Sequence, residues 1–170
     1  IKYQPVQRKY IEMIQGAQKD IYLETPYFLP GSRLRRALMD AAERGVKVNI
    51  IIPKNSDIHI LDILAGRYFG ELWEKKVNIY LYLGQNLHSK IFLVDRTYFL
   101  VGSSNFDYRS FRFQHEICLY GEHKSLNRQM MAHFNQTLKD CIPFDYHQWV
   151  KRPVMQRVIE RLLVPFRHLF

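Results

Sequence analysis

Two cysteines among 170 residues cannot build a disulfide framework. Cys118 lies in an apolar, strand-like run and Cys141 follows a helical stretch, so both read as buried thiols suited to a reducing compartment. No run reaches the roughly 18 apolar residues that would span a bilayer, and no secretory leader is visible. The chain opens on Ile1 rather than Met, so it is expected to be a fragment or a processed product that could have lost either. Internal repeats and low-complexity linkers are missing too. Acidic residues are scarce, 16 against 25 Lys and Arg, for a net charge of +9. The last twenty residues carry Lys151, Arg152, Arg157, Arg161 and Arg167 against Glu160, a net of +4. Such a balance suits an anionic partner, either nucleic acid or an acidic membrane surface. It is equally compatible with a soluble basic domain.

What is present is a core. Apolar residues make up 47% of the chain and aromatics 14%, which excludes intrinsic disorder for most of it, and the length suffices for one domain. The spacing of Tyr10, Ile11, Met13, Ile14 and Ala17 predicts a helix over 7–19. An extended run follows over 21–25. Ser32 reads as the N-cap of a helix reaching Arg44, with Gly45 as its stop. A β-branched strand over 46–52, a helix over 58–75 and a strand over 77–83 continue the alternation, which argues for helices on both faces of a sheet. Three further strands are predicted over 87–94, 98–101 and 113–120, then a helix over 125–138. The expected fold class is α/β, an α/β/α sandwich with a central mixed β-sheet. Residues 1–150 form the domain and 151–170 a basic amphipathic tail.

The chemistry concentrates in Leu87-His88-Ser89-Lys90-Ile91-Phe92-Leu93-Val94-Asp95 and, six residues on, Gly102-Ser103-Ser104-Asn105. Strand alternation would turn His88 and Lys90 to one side and Ser89 and Ile91 to the other. Ser103 and Asn105 share that spacing, Gly102 leaves room for the backbone to approach a ligand, and Glu116 would share a face with Gln114 and Cys118 on the third strand. Together these groups form an anion site with a nucleophile. Imidazole can attack phosphorus and divide one displacement into two. An ammonium, an amide and a hydroxyl can hold the non-bridging oxygens. A carboxylate on the far ring nitrogen would fix the tautomer. No metal or other cofactor is required by such a set.

These residues match H-x-K-x4-D-x6-G-S-x-N at every fixed position, and the chain resembles the phospholipase D superfamily; six specified residues at fixed offsets leave little room for chance. The resemblance implies His88 as nucleophile or general acid, Lys90 and Asn105 as phosphate ligands, and Ser103 as their assistant. It puts Glu116 where the family's histidine-orienting carboxylate stands. Asp95 belongs to the motif but is read as structural, bonding locally beneath the site. Ile21-Tyr22-Leu23-Glu24-Thr25-Pro26-Tyr27-Phe28-Leu29-Pro30, Ala41-Ala42-Glu43-Arg44-Gly45-Val46-Lys47-Val48 and Asn105-Phe106-Asp107-Tyr108-Arg109-Ser110-Phe111 are similar to the cardiolipin synthase branch, as are Trp149, Arg152-Pro153 and the basic helix behind them. Gln114-His115-Glu116 departs from the branch's commoner N-F-E.

Several residues have plainer readings. His59, His115, His123, His133, His147 and His168 lack motif support and read as surface or core histidines. Tyr27 could line a cleft or pack in the core. Asp107, Arg109 and Ser110 are read first as bracing the loop after Asn105. In the tail, Val154, Met155, Val158, Ile159, Leu162 and Leu163 form an apolar stripe, followed by Pro165, Phe166, Leu169 and Phe170. The stripe could lie in a membrane interface, or pack on this domain or on an absent half.

One motif copy is half a catalyst, because a second histidine must serve the leaving oxygen. The resemblance therefore implies a second half in the same parent chain or a homodimer mate. It implies phosphatidyl transfer making cardiolipin from phosphatidylglycerol or a similar phospholipid. Relatives more often assign the nucleophile to the N-terminal copy, which points His88 to acid/base work. The expected setting is the bacterial inner membrane, peripheral or anchored through a missing N-terminal part, with this half cytoplasmic and nucleic acid not the partner. Two alternatives stay open: a single-motif homodimeric nuclease, and a non-catalytic membrane-binding module, against which the intact His88, Lys90 and Asn105 argue.

Overall fold

The computed structural model describes residues 4–166. Arg167, His168, Leu169 and Phe170, part of the tail reading, lie outside the described residues. The chain opens on α1 (Pro5–Gly16), with Pro5 in the first turn, where its missing N–H costs nothing. Tyr10, Met13 and Ile14 are its buried face. The helix stops short of Lys19 because the backbone N–H groups of Gln18, Lys19 and Asp20 turn instead to the Asp95 carboxylate.

Strand β1 (Asp20–Glu24) follows, then the two-residue β2 (Phe28–Leu29) and α2 (Ser32–Glu43). Ser32 is the first helical residue rather than the cap: Gly31 holds the extended cap conformation, and no side chain bonds the helix end. Gly45 does stop the helix, at φ +93, with its N–H on Ala42 and that of Val46 on Ala41. Then come β3 (Lys47–Pro53), α3 (His59–Glu74) and β4 (Asn78–Tyr82), each within a residue or two of its predicted span.

The second half holds β5 (Ile91–Val94), β6 (Tyr98–Gly102), β7 (Phe106–Asp107), α4 (Tyr108–Arg112), β8 (Cys118–Glu122), α5 (Lys124–Leu138), β9 (Cys141–Pro143), α6 (Tyr146–Val150) and α7 (Val154–Leu163), closed by a 3-10 turn. Two strands are shorter than predicted. Pairing of β5 begins at Ile91 because its partner β1 ends opposite it at Glu24, so His88 and Lys90 precede the ladder. Residues 113–117 are irregular and β8 begins at Cys118, opposite Gly102.

The seven-stranded mixed sheet has the order β8-β6-β5-β1-β3-β4-β9. Strands β1, β3 and β4 run parallel, while β5, β6 and β8 continue antiparallel from β1. The larger core lies under α1, α2 and α3, with Ile21, Leu23, Ile50, Phe92 and Leu100 among its buried members. On the opposite face α5 lays Met130 over Leu93 and Phe99. This is the α/β/α sandwich. Both cysteines are free and only half-buried, less enclosed than the sequence suggests.

The motif's spacing is now a piece of geometry. The four residues between Lys90 and Asp95 are strand β5 itself. Asp95 and Arg96, at φ +53 and +54, turn the chain, and the Thr97 N–H closes on the Val94 carbonyl at 3.0 Å. Paired positive φ values give the hairpin twist that suits the flanking strands. Asp95 sits at the end of β5 opposite His88. It bonds not locally but to N–H groups more than seventy residues away, at 2.7 Å for Lys19 and 3.0 Å for Asp20. Asp95→Ala leaves these donors unpartnered, which should cost about 2 kcal/mol and lower the melting temperature by about 4–8 °C. Thermal unfolding followed by circular dichroism checks this, and an unchanged melting point would contradict the anchoring role.

Candidate active site

Beyond the first residue of the β5 ladder, the alternation of faces persists for one more step. Ser89 turns to the α5 side and its hydroxyl donates to Glu24 Oε1 in a short bond. Glu24 is fully buried at the end of β1, its other oxygen has no partner, and His133 Nε2 of α5 lies 2.9 Å from Oε1. A buried carboxylate thus pins the residue between His88 and Lys90. The motif does not single out Glu24, and it leaves Ser89, expected to face away from His88, and His133, expected as a surface or core histidine, without a role at the site. A detectable signal existed: Asp20, Tyr22 and Glu24 alternate as polar groups in an otherwise apolar strand.

His88 is exposed and lines a cleft of about 540 Å³ with Tyr27, Pro53, Asp57 and Gln85. Tyr27 is therefore a cleft residue, although it also packs against the small cluster of Leu29, Leu61, Leu64 and Tyr68. Its hydroxyl donates to Asp57 at 2.6 Å. Burial, helped by that carboxylate, pushes its pKa up to about 12. The segment is tied to the motif's second half by Thr25. The Thr25 hydroxyl donates to the Tyr27 carbonyl at 3.0 Å and accepts the Phe106 N–H at 3.2 Å, and β2 pairs with β7 alongside.

Lys90 Nζ donates to the His88 carbonyl at 2.8 Å. Burial lowers its pKa, against the opposing pull of the Glu116 and Asp107 charges. Asn105 is half-buried, and its amide oxygen is enclosed without a partner, an acceptor left waiting for a donor. Asp107, raised by burial, caps α4 by accepting the Ser110 N–H at 2.7 Å, and Ser110 Oγ reaches Gln114 at 3.0 Å. Bracing is thus shared by Asp107 and Ser110, while Arg109 is exposed.

Glu116 stands in the irregular stretch before β8, not on a strand. Its Oε2 accepts from the Ser103 hydroxyl in a short bond, and Ser103 Oγ accepts the Ile117 N–H at 3.1 Å. Among the described residues no group hydrogen-bonds the His88 ring, so in this structure the Glu116 carboxylate is held by serine rather than by imidazole. Gly102 has a different use from the one read in the sequence. A Cβ there would run into the Ile117 carbonyl and Cys118, so its bareness lets β8 approach β6 rather than admitting a ligand.

Chemically, the structure offers an exposed imidazole, a part-buried ammonium, an unsatisfied amide and a hydroxyl–carboxylate pair on neighbouring segments. Among the described residues no three His, Cys, Asp or Glu side chains gather to hold a metal ion. The set can bind a phosphoryl group and attack or protonate it.

Residues 10–138 match the family described as cardiolipin synthase, PLD-like domain. A cardiolipin synthase of Geobacillus sp. (strain WCH70) is 37% identical over 167 residues, covering 96% of this chain and 33% of its own length. The chain therefore spans about a third of the curated relatives it matches. Among solved structures, phosphatidylserine synthase of Haemophilus influenzae Rd KW20 aligns with a TM-score of 0.73 at 18% identity, over 96% of this chain and 42% of that one. Nuc of Salmonella typhimurium, a phospholipase D family member, aligns at 0.71 and 20% identity, over 84% and 95% respectively. At such identities both likenesses speak for the fold.

The lowered pKa of Lys90 means that burial penalises its charged form. That penalty is present at neutral pH and is lifted as pH rises through the folded-state value. Lys90→Met should therefore melt no lower than wild type while losing affinity for inorganic phosphate, measured by calorimetric titration. A drop of several degrees with phosphate affinity retained would make Lys90 a structural residue instead.

Proposed function

This chain belongs to the cardiolipin synthase, PLD-like domain family, and from that premise we propose that it is one of two H-x-K halves of a phosphatidyltransferase. The reaction joins two phospholipids, phosphatidylglycerol or a close relative, into cardiolipin through a phosphohistidine. The observation that carries this reading is the Thr25 linkage. It ties the Thr25-Pro26-Tyr27-Phe28 segment to the loop after Asn105 and so sets Tyr27 in the cleft beside His88.

In the first step one imidazole nitrogen attacks the donor phosphorus, forming a P–N bond as the P–O bond to the leaving alcohol breaks. The opposite imidazole gives that oxygen its proton. In the second step the same imidazole removes a proton from the acceptor hydroxyl, the new P–O bond forms, and the P–N bond breaks. Lys90 and Asn105 hold the non-bridging oxygens, and Ser103 joins them with its hydroxyl. His88 takes one of the two imidazole roles, the acid/base role by preference. The other belongs to a second half, in the remaining two thirds of a parent chain or in a homodimer mate. Glu116, now on Ser103, is the carboxylate that would orient the His88 ring once that half closes the cleft.

The substrate places the enzyme at a membrane surface, on the cytoplasmic side of a bacterial inner membrane. Among the described residues no helix is long and apolar enough to cross one. The competing reading is a nuclease acting as a dimer of single-motif chains, which the net charge of +9 would suit.

Incubation of a parent polypeptide carrying both halves with phosphatidylglycerol vesicles separates the two. Wild type should form cardiolipin, and His88→Ala should lower the rate by about 10³-fold or more. DNA cleavage by the present chain, with lipid untouched by either protein, would overturn the transferase.

A further inference from the structure

Helix α7 is mounted inside out. Its buried residue is Glu160, 2% exposed, while Val154, Met155 and Leu162 are 66–69% exposed and Val158 is 43% exposed. A helix turns about 100° per residue. With Glu160 pointing inward, Val158 and Leu162 face outward, Val154 and Met155 lie to either side of them, and Arg157 and Arg161 follow along one flank. Lys151, Arg157 and Arg161 are all exposed. Glu160 turns into the domain, while Val154, Met155, Val158 and Leu162 stay exposed.

A chain of specific contacts fixes this orientation. Trp149 donates from Nε1 to the Gly66 carbonyl at 2.7 Å, and its ring fills the notch left by Gly70 on α3. Arg152 stacks 3.7 Å from the Trp149 ring and grips Glu160 with two bonds, at 2.9 and 3.0 Å. At the far end of the helix, Leu163 packs on the cluster that also holds Tyr27, a wall of the cleft containing His88. The stripe is therefore not an unformed core contact of this domain, because the inward position is taken by a satisfied ion pair.

We propose that α7 is a membrane-docking element: Val154, Met155, Val158 and Leu162 seat in the interface of an anionic bilayer, with Lys151, Arg157 and Arg161 on its headgroup phosphates. An apolar helical face flanked by exposed cations complements a surface that offers acyl chains beneath negative charge. The choice of a lipid surface rests on the phosphatidyl-transfer reading. Leu163 and Tyr27 link the docked helix to the cleft in which that reading places the lipid phosphate.

Flotation of this chain with vesicles of equal parts phosphatidylglycerol and phosphatidylcholine, and with phosphatidylcholine alone, tests the proposal. Wild type should float with the anionic vesicles. Val158→Glu with Leu162→Glu should cut the bound fraction about tenfold, and Arg157→Gln with Arg161→Gln severalfold, with salt acting in the same direction. All these side chains are exposed, so the melting temperature should hold, and sedimentation should show no self-association. Undiminished flotation of the double-glutamate variant, or failure of wild type to float, overturns the proposal. So does a wild-type dimer that this variant dissolves, which would make a second copy the occupant. Activity of the parent polypeptide on detergent-dispersed phosphatidylglycerol separates the two ideas. Turnover without vesicle binding removes the docking helix alone, and vesicle binding without turnover in any format removes the transferase alone.

Discussion

The seam between β1 and β5 is the constraint on which the rest depends. On one side of β1 the strands β3 and β4 run parallel and are joined through helices, with the short β9 antiparallel at the edge; on the other the sheet becomes a run of antiparallel strands carrying the motif. A carboxylate clamps each end of the seam. Asp95 gathers the N–H groups of Gln18, Lys19 and Asp20 at one end, and Glu24 takes the Ser89 hydroxyl at the other. The four-residue gap in H-x-K-x4-D is the length of the strand between those clamps. His88 and Lys90 need no ladder of their own, because the serine between them is held from below.

Much of this was legible from residues alone. The alternation of periods gave the layers, since a β-branched run such as 46–52 between two amphipathic helices has few other packings. The motif gave His88, Lys90 and Asn105 as a set. Strand ends were less legible, because alternation describes an extended chain whether or not a partner lies beside it. Residues 87–90 and 113–117 are cases in point: one outruns β1, and the other precedes the close pairing that Gly102 permits. The alternation of Asp20, Tyr22 and Glu24 marks a polar face on β1, but that Glu24 is buried against Ser89 depends on a partner 65 residues away.

The tail shows a different limit. Its stripe was plain in the sequence, but amphipathicity defines two faces without saying which one is inward. That is decided by Gly70 leaving a seat for Trp149 and the Gly66 carbonyl taking its N–H, by Arg152 stacking on it, and by Glu160 completing the pair. None of these contacts has a periodic signature. The active site likewise divides. The candidate phosphate-binding groups follow from the motif, whereas the engagement of Glu116 with Ser103 depends on the path of an irregular segment.

The central claim is that the clamped end of the β1–β5 seam positions the candidate anion site. It is tested most directly by titrating inorganic phosphate into wild type and Ser89→Ala, with ³¹P nuclear magnetic resonance as the readout. Loss of one hydrogen bond to a charged group should weaken phosphate binding about tenfold while the melting temperature stays within a few degrees of wild type. Equal affinity in the two proteins would contradict the account, leaving His88 and Lys90 positioned by something other than Glu24.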